Sequence, residues 1–530
     1  MPKTVKAKST MKNRNTIFTV LLALASLVLS IAQAVVPPPD GGYPNLNTAE
    51  GQNALLSLTT GQWNTALGGF TLWKNTDGSF NTAVGTGALL LNVGNQSTIE
   101  GVQNTAVGAA ALLSNSTGSS NTAVGALALE NNTASFNTAM GDSALKSNTT
   151  GEGNTALGAS ALKNNIDGNY NTAIGRTALA NNTADHNTAI GDNALLSNTS
   201  GVANTAIGSE PLVNNLDGSY NVAIGNGALV INSNGNNNTG IGASSLAANV
   251  SGSNNTAIGN GALFTSFSGD NNTAIGFQAL QANSFGALNT ANGFKALFSN
   301  NSGGSNTAQG DLALYNNTSG SSNVAVGTSA GFNATTGNNN VYIGGGMLGV
   351  AGESDSCYIA SIYQRPSGPN SLPVAIGDNG KLGAVASSRR FKREIKPMDR
   401  SSEAILALKP VMFRYKKEID PVGTSQFGLV AEDVEKVNHE LVVRDKEGKP
   451  YSVRYDQVNA MLLNEFLKEH KKVQEQGAMI AELKREIASL ITITKKQDAQ
   501  IQKVSAWVEI SKPVTKVASL PAAASTRRRE

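Results

Sequence analysis

Hydrophobic and polar positions recur with a fixed step over more than half of this 530-residue chain. Asn-Thr-Ala-x-Gly, or a close variant, starts at Asn64, Asn81, Asn104, Asn121, Asn137 and onward to Asn323, about every 17 residues. Four residues after each Asn stands a Gly, from Gly68 to Gly327. Eight residues after it stands a Leu in every copy but the last, where Gly331 replaces it. The third position after the Asn is aliphatic or Met, except at Asn292 and Gln309. A second Gly usually falls at the fourteenth position (Gly118, Gly151, Gly168). The copies starting at Asn121 and Asn171 lack it and are one residue shorter, so the deletion lies in a turn, where it is tolerated. One longer insertion separates Asn81 from Asn104.

A unit of this length with two turn signals predicts a mainly β, stacked β-roll or solenoid with two short strands per unit, not a helix pair. Within a strand, Thr82 and Val84 share one side and Ala83 takes the other. Hydrophobicity favours the Thr/Val side as the inner one, giving each coil one Val or Ile, one Leu and small Ala residues. At roughly 1.5–3 kcal/mol per buried large side chain, one coil barely offsets the ordering of its backbone. Stacking is therefore required, and packing of Ala-rich faces against neighbouring chains is expected. An outward Thr ladder would order water or bind ice; the inward assignment argues against that role. The repeated Asn-x-Thr triplets resemble glycosylation acceptors but are more simply turn and ladder formers.

The flanks differ from the array. Residues 1–34 read as a secretory signal: Lys3, Lys6, Lys8, Lys12 and Arg14 precede an apolar run from Ile17 to Ile31 and the small-residue site Ala32-Gln33-Ala34. The alternative is an uncleaved membrane anchor, although the run is shorter than a spanning helix usually needs. Residues 35–50, with Pro37-Pro38-Pro39, read as a linker, and 51–337 as the array. Residues 338–386 break the period and predict a β-rich neck, with a turn at Asp378-Asn379-Gly380. Beyond it, Ser401 to Leu408 and Glu432 to Lys436 predict short helices. Val411 to Lys416, Gln426 to Leu429 and Leu441 to Val443 predict strands. A long helix is expected from Asn464. Over residues 473–510, Val473, Ile480, Ile487, Thr494, Ile501 and Val508 share one heptad position, and Leu483, Leu490, Gln497 and Val504 the other. That pattern predicts a coiled coil with a polar layer at Thr494/Gln497, or else an amphipathic helix folded onto its own domain. Residues 511–530 read as a disordered tail.

Composition sharpens this division. With 56 Gly and 15% charged residues the chain suits a stacked repeat better than one globular core. Between residues 51 and 330 there are twelve acids and five bases, so the net +3 arises at the two ends. The Lys and Arg of the C-terminal region alternate with Glu and Asp, which favours a solvated helix face over a nucleic-acid partner. A single Cys357 excludes an intrachain disulfide framework. The three His residues (186, 439, 470) have no metal-site spacing, and no cofactor is expected.

The junction between array and helix carries the candidate chemistry. It reads Ala386-Ser387-Ser388-Arg389-Arg390-Phe391-Lys392-Arg393-Glu394-Ile395-Lys396-Pro397. With Phe413-Arg414-Tyr415-Lys416, Phe427-Gly428-Leu429-Val430-Ala431-Glu432-Asp433-Val434 and Val453-Arg454-Tyr455, it resembles the endosialidase-type intramolecular chaperones over about residues 386–475. That resemblance implies a small α+β domain, residues 387–472, ending a homotrimeric fibre and cutting itself off after assembly. It implies a Ser/Lys dyad with Ser387 as nucleophile and Lys392 as base, acting once at Ala386-Ser387, or at Ser387-Ser388 because the serine is doubled. Glu432 and Asp433 are the next candidate bases. A Ser hydroxyl needs a base, and a Lys serves only when its amine is neutral, which burial and the neighbouring Arg389, Arg390 and Arg393 would favour. The bland reading of the same residues is a solvated basic turn. The array itself is similar to, though longer in period than, the head repeats of trimeric autotransporter adhesins.

The expectation is thus a secreted, trimeric surface fibre or adhesin of a bacterial envelope, with a host-surface or glycan ligand. No nucleic-acid partner is expected, and a membrane contact only through an uncleaved signal. The alternative is a tail-spike-like glycan-binding or glycan-degrading protein with the same chaperone. The array's isolated acids argue against the degrading form, because a glycosidase needs two carboxyl groups about 5–10 Å apart.

Overall fold

The computed structural model describes residues 43–362, 372–377 and 379–511. The expected signal segment, residues 35–42 of the linker, Asp378 of the expected turn and residues 512–530 of the tail lie outside them. The chain divides into two units, Met1–Ser367 and Gly368–Glu530.

The first unit is a parallel β-solenoid. Nineteen three-residue strands, β1 (Thr48–Glu50) to β19 (Cys357–Ile359), pair in chain order with no slip between like positions. Thr188, Ala189 and Ile190, for example, lie beside Thr205, Ala206 and Ile207. The solenoid is longer than the expected array. Asn47-Thr48-Ala49-Glu50-Gly51 supplies β1, and Asn340-Val341-Tyr342-Ile343-Gly344 supplies β18, one period on from Asn323. The neck expected from residue 338 is therefore, as far as residue 359, more of the same sheet.

Each coil holds one regular strand where two were expected. On the second side the conserved Leu adopts a left-handed conformation, as at Leu89 (φ 51) and Leu195 (φ 51). That conformation costs an L-residue roughly 1–2 kcal/mol. Bonds between coils hold it: the Leu89 N–H donates to Ala111 O at 3.0 Å.

The expected inner face is also reversed. Ala66, Ala83 and the rest of that column to Ala325 are fully buried, opposite the buried Leu column. Thr and Val/Ile are only half-buried and face outward. The reason is space. At Gly240, which stands in the Ala column, an added Cβ would already lie 3.0 Å from Ser245 Oγ and 3.4 Å from Leu229 Cδ1. Nothing larger than a methyl group fits, so the bigger side chains turn out. The Ala faces are consequently sealed within one chain and are not available to neighbours.

Two buried Asn ladders complete the interior. Asn104 accepts from the Asn121 N–H at 3.0 Å, while its own Nδ2 donates to Gly118 O at 2.9 Å. Asn115, eleven residues after Asn104, donates to the same Gly118 O at 2.8 Å. A Cβ on Gly118 would approach Ala134 O to 2.2 Å, which explains the second Gly. In the short copy starting at Asn121, Ala134 O takes over, accepting from Asn121 and Asn132. The insertion leaves as an excursion closed by the Asn95–Glu100 bridge, and Gly101 O then accepts from Asn81 and Asn92. At the far end Tyr342 enters the Ala column, and the matching Leu is Gly331, whose Cβ would lie 2.7 Å from the Tyr342 ring.

The second unit is small and mixed. Hairpin β20 (Val374–Ile376) and β21 (Leu382–Ala384) leads to a 3-10 helix, Asp399–Ala407. Hairpin β22 (Val411–Phe413) and β23 (Gln426–Gly428), helix α1 (Ala431–Val437), and hairpin β24 (Val442–Arg444) and β25 (Pro450–Val453) follow. Helix α2 (Tyr455–Ile510) starts ahead of the expected Asn464, because Val458 and Met461 on its first turns join the core of Val434, Leu441, Val442 and Val453. Its 56 residues span about 84 Å, and only Met461 is buried. The helix is not folded back onto its own unit: all the heptad residues from Val473 to Val508 are exposed.

Candidate functional site

The junction forms around one tight turn. Ser388 is extended, and Arg389–Phe391 make a 3-10 turn in which the Phe391 and Lys392 N–H groups donate to Ser388 O and Arg389 O. The turn returns the chain on itself, bringing Lys392 Nζ to 3.2 Å from Ser387 Oγ. Ala386, Ser387, Ser388 and Lys392 are all exposed. Of the three arginines, Arg390 lies over the Phe391 ring, 4.6 Å from its centroid. Among the described residues no ion pair involves Lys392, and no hydrogen bond links Glu432 or Asp433 to the serines. Asp433 instead pairs with Lys436 at 2.8 Å, and the hydrogen bond and charge of that ammonium hold its carboxyl below the usual range.

The burial expected for Lys392 is therefore not supplied by the single chain. As it stands, Lys392 Nζ donates to the Ser387 hydroxyl and both groups are open to water. Nucleophilic attack requires the reverse proton movement and an enclosed pair.

The other motif blocks pack against one another within the second unit. Gly428 has no room for a side chain, since a Cβ would lie 2.9 Å from the Tyr455 hydroxyl and 3.2 Å from Phe413 Cε1. That hydroxyl accepts the Leu429 N–H at 3.0 Å and so ties β23 to the start of α2. Val430 precedes α1, and Val434 is its buried anchor. In the β22–β23 loop, Asp420 accepts the N–H groups of Thr424, Gly423 and Val422, which hold its carboxyl below the ordinary value.

One polar cluster has no counterpart in the sequence reading. Ser402, fully buried, donates to Glu465 Oε1 and accepts from Asn464 Nδ2 at 2.7 Å. Lys468 reaches Glu465 at 2.7 Å and holds its carboxyl below the usual range, with Ser402 adding to the effect. The Glu465/Lys468 spacing on a helix was a visible signal, but its serine partner is over sixty residues away. This second Ser/Lys arrangement fastens the 3-10 helix to α2, and its hydroxyl proton is committed to a carboxylate.

Comparison with known proteins bears on the second unit only. Residues 387–443 match the family described as chaperone of endosialidase (Peptidase_S74), so the chain carries such a segment near its C-terminus. The match starts at Ser387 and covers the dyad turn, β22, β23, α1 and most of β24, and ends ahead of Tyr455 and α2. No curated protein and no solved structure matches this chain.

Proposed function

We propose that this chain is one subunit of a secreted, homotrimeric surface fibre. The C-terminal unit aligns three chains, and the Ser387/Lys392 pair then cuts the Ala386–Ser387 bond. The observation that carries this reading is the apolar surface of the second unit. Its core has five buried residues, while Phe427 is 78% exposed, Tyr451 76% and Phe466 65%, and the heptads of α2 are open throughout. A unit that exposes so much more than it buries has neighbours in its working state. The heptads of α2 support a coiled coil as the form of that contact, parallel in this reading because the three chains of the fibre run together.

In the cut, Ser387 Oγ attacks the Ala386 carbonyl carbon and Lys392 takes the hydroxyl proton. The proton passes to the departing Ser387 nitrogen, and water resolves the resulting ester. The products are a solenoid fragment ending at Ala386 and a chaperone fragment beginning with Ser387. Because the pair is open to water in one chain, enclosure by neighbouring chains would switch it on, and cleavage would follow assembly. Binding of a surface glycan or other host ligand is the fibre's further role in this reading.

Intact mass and N-terminal sequencing test the cut. Wild type is expected to split at residue 386, whereas Ser387→Ala and Lys392→Arg stay full length and still assemble, because Arg keeps its charge and cannot take the proton. Cleavage that persists in Ser387→Ala would remove that residue as nucleophile.

A further inference from the structure

Exposed rings collect in one column of the solenoid, the residue just ahead of each ladder Asn. From β6 (Thr138–Met140) to β11 (Val222–Ile224) that column reads Phe136, Gly153, Tyr170, His186, Ala203 and Tyr220. Phe136 is 66% exposed, Tyr170 60% and Tyr220 61%, so burial does not account for them. All four rings stand on left-handed backbone, with φ between 55 and 63. Bonds between coils impose that backbone: the Tyr220 N–H, for instance, donates to Val202 O at 3.0 Å. Asn and Gly tolerate such a φ best, and Asn237, Asn254 and Asn271 fill the same column in later coils. Bulky rings that are strained and yet unburied point to a use outside the fold.

Spacing gives that use a shape. Tyr170 and His186, on successive rungs, stack 5.3 Å apart with planes 11° from parallel, so nothing fits between them. Trp63–Phe80 and Phe298–Tyr315–Phe332 are closed in the same way, at 4.7, 5.0 and 5.3 Å. Two places are open. Gly153 separates Phe136 from Tyr170, and Ala203 separates His186 from Tyr220. At the first, a Cβ on Gly153 would lie 2.8 Å from the Tyr170 ring, so only Gly suits the floor. Rungs about 4.8 Å apart put the two walls of each opening about 9.6 Å apart. A third ring midway would lie about 4.8 Å from each wall, inside the range of about 4.5–7 Å for paired rings.

The surroundings select the class of ring. The residue preceding this column is polar in five of the six coils: Ser135, Glu152, Asn169, Asp185 and Ser219, with Val202 the exception. Such a rim suits a ring with apolar faces and a hydroxyl-bearing edge, a pyranose, better than the apolar edge of a Phe or Trp side chain. No Lys or Arg occurs in either column over these coils, so an acidic sugar meets no counter-charge. We infer that the two openings are slots for neutral pyranose end units of a glycan, one between Phe136 and Tyr170, the other between His186 and Tyr220. The inference rests on the preceding reading for the kind of ligand and adds where on the solenoid it binds. Rings stacked along the axis admit a sugar only edge-on, which fits the free end of a chain and not a segment running along the array.

Saturation-transfer NMR on the full chain tests this. The neutral probes are the methyl pyranosides of galactose, glucose, mannose, N-acetylglucosamine and N-acetylgalactosamine; the acidic ones are N-acetylneuraminic and glucuronic acids. At least one neutral probe should receive saturation on its ring protons at about three or more times the level of either acid. Phe136→Asn removes one wall of the first slot, and Ala203→Leu fills the second while sparing both its walls. Asn and Leu already occupy this column, at Asn237 and Leu288, so both variants should keep the wild-type melting transition. Each alone should lose about half of the signal and the two together about tenfold or more. Phe285→Ala, which removes a ring 60% exposed in another column, should change nothing. Neutral-sugar binding that survives in the double variant would overturn the slots and leave the glycan reading standing. A preference for the acids would overturn the assigned ligand class. Transfer to a Trp-containing peptide and to no sugar would give the slots to a protein partner, against the inference. Transfer to no probe at all would overturn the slots, while sedimentation and intact mass report separately on assembly and cleavage.

Discussion

Removing one rung of the Asn ladder gives a direct measure of what holds a coil. Asn204 is fully buried and accepts the Asn221 N–H at 2.9 Å. Its Nδ2 donates to Gly218 O at 2.8 Å and to Asn187 Oδ1 at 3.2 Å, while its own N–H donates to Asn187 Oδ1 at 2.9 Å. Replacing it with Leu leaves two of the neighbouring acceptors served. Gly218 O keeps Asn215, and Asn187 Oδ1 keeps the Asn204 backbone. The Asn221 N–H, however, loses its acceptor inside the coil, at a cost of about 1–3 kcal/mol, and the lost side-chain bonds add about 1 kcal/mol. Asn204→Leu is therefore expected to destabilise the local coils by about 2–4 kcal/mol. Asn204→Asp keeps the shape but sets a carboxylate against Gly218 O, and an unpaired buried charge costs about 3–5 kcal/mol. Burial raises that carboxyl above its unfolded value of about 3.9, so the penalty grows as pH rises past about 4. Asp should be worse than Leu at pH 7 and recover at about pH 4. Because coils contact only their neighbours, the readout is hydrogen exchange of peptides spanning residues 205–238, with residues 64–90 as internal reference. Stability of Asn204→Leu within about 0.5 kcal/mol of wild type, or an Asp variant insensitive to pH, would refute the ladder's role.

Gly428→Ala should lower the melting transition of the C-terminal unit by the equivalent of about 1–3 kcal/mol, since its Cβ meets the Tyr455 hydroxyl and the Phe413 ring. Tyr455→Phe in the same chain should recover part of the loss, and no recovery would place the clash elsewhere. At the end of the solenoid, Tyr358 donates to Glu353 at 2.6 Å, which pushes its phenol up to about 12, chiefly through that bond. Its folded value is raised, so the stabilisation is present below the unfolded value of about 10 and lost as pH rises through about 12. An ultraviolet titration should show a late-ionising tyrosine that Glu353→Gln shifts down; an unchanged curve would contradict the assignment.

The period, the glycine turns and the Leu column were legible because each is fixed by local chemistry repeated many times. The direction of the strand side chains was not. Thr-Ala-Val alternates correctly, yet hydrophobicity ranks Val above Ala as a core residue. Only the cross-section, with room for one methyl group at Gly240, reverses that order. The outer coils were missed for related reasons: Glu50 occupies the aliphatic position in the first, and Tyr342 the Ala position near the last. Tyr342 became tolerable only because Gly331 had given up its Leu, a compensation between adjacent coils that no single repeat displays. At the junction, Ser387 and Lys392 were singled out by the resemblance of the surrounding blocks and not by their spacing alone, and the intervening 3-10 turn brings their side chains together. Their exposure fits the solvated-turn reading and not the burial expected for Lys392, because enclosure is a property of what packs around a turn and not of the turn's own residues.

The bonds that join one coil to the next run along the solenoid axis, and this orientation decides how the array answers to force. Tension along the axis pulls those bonds open from an end, a rung at a time, and does not shear many at once. Each coil that opens releases about 17 residues, roughly 55 Å of extended chain, in place of the 4.8 Å it occupied. An array of this kind yields in small, repeatable steps and lengthens more than tenfold per step, so a sudden pull is dissipated as extension before it reaches whatever the far end is holding.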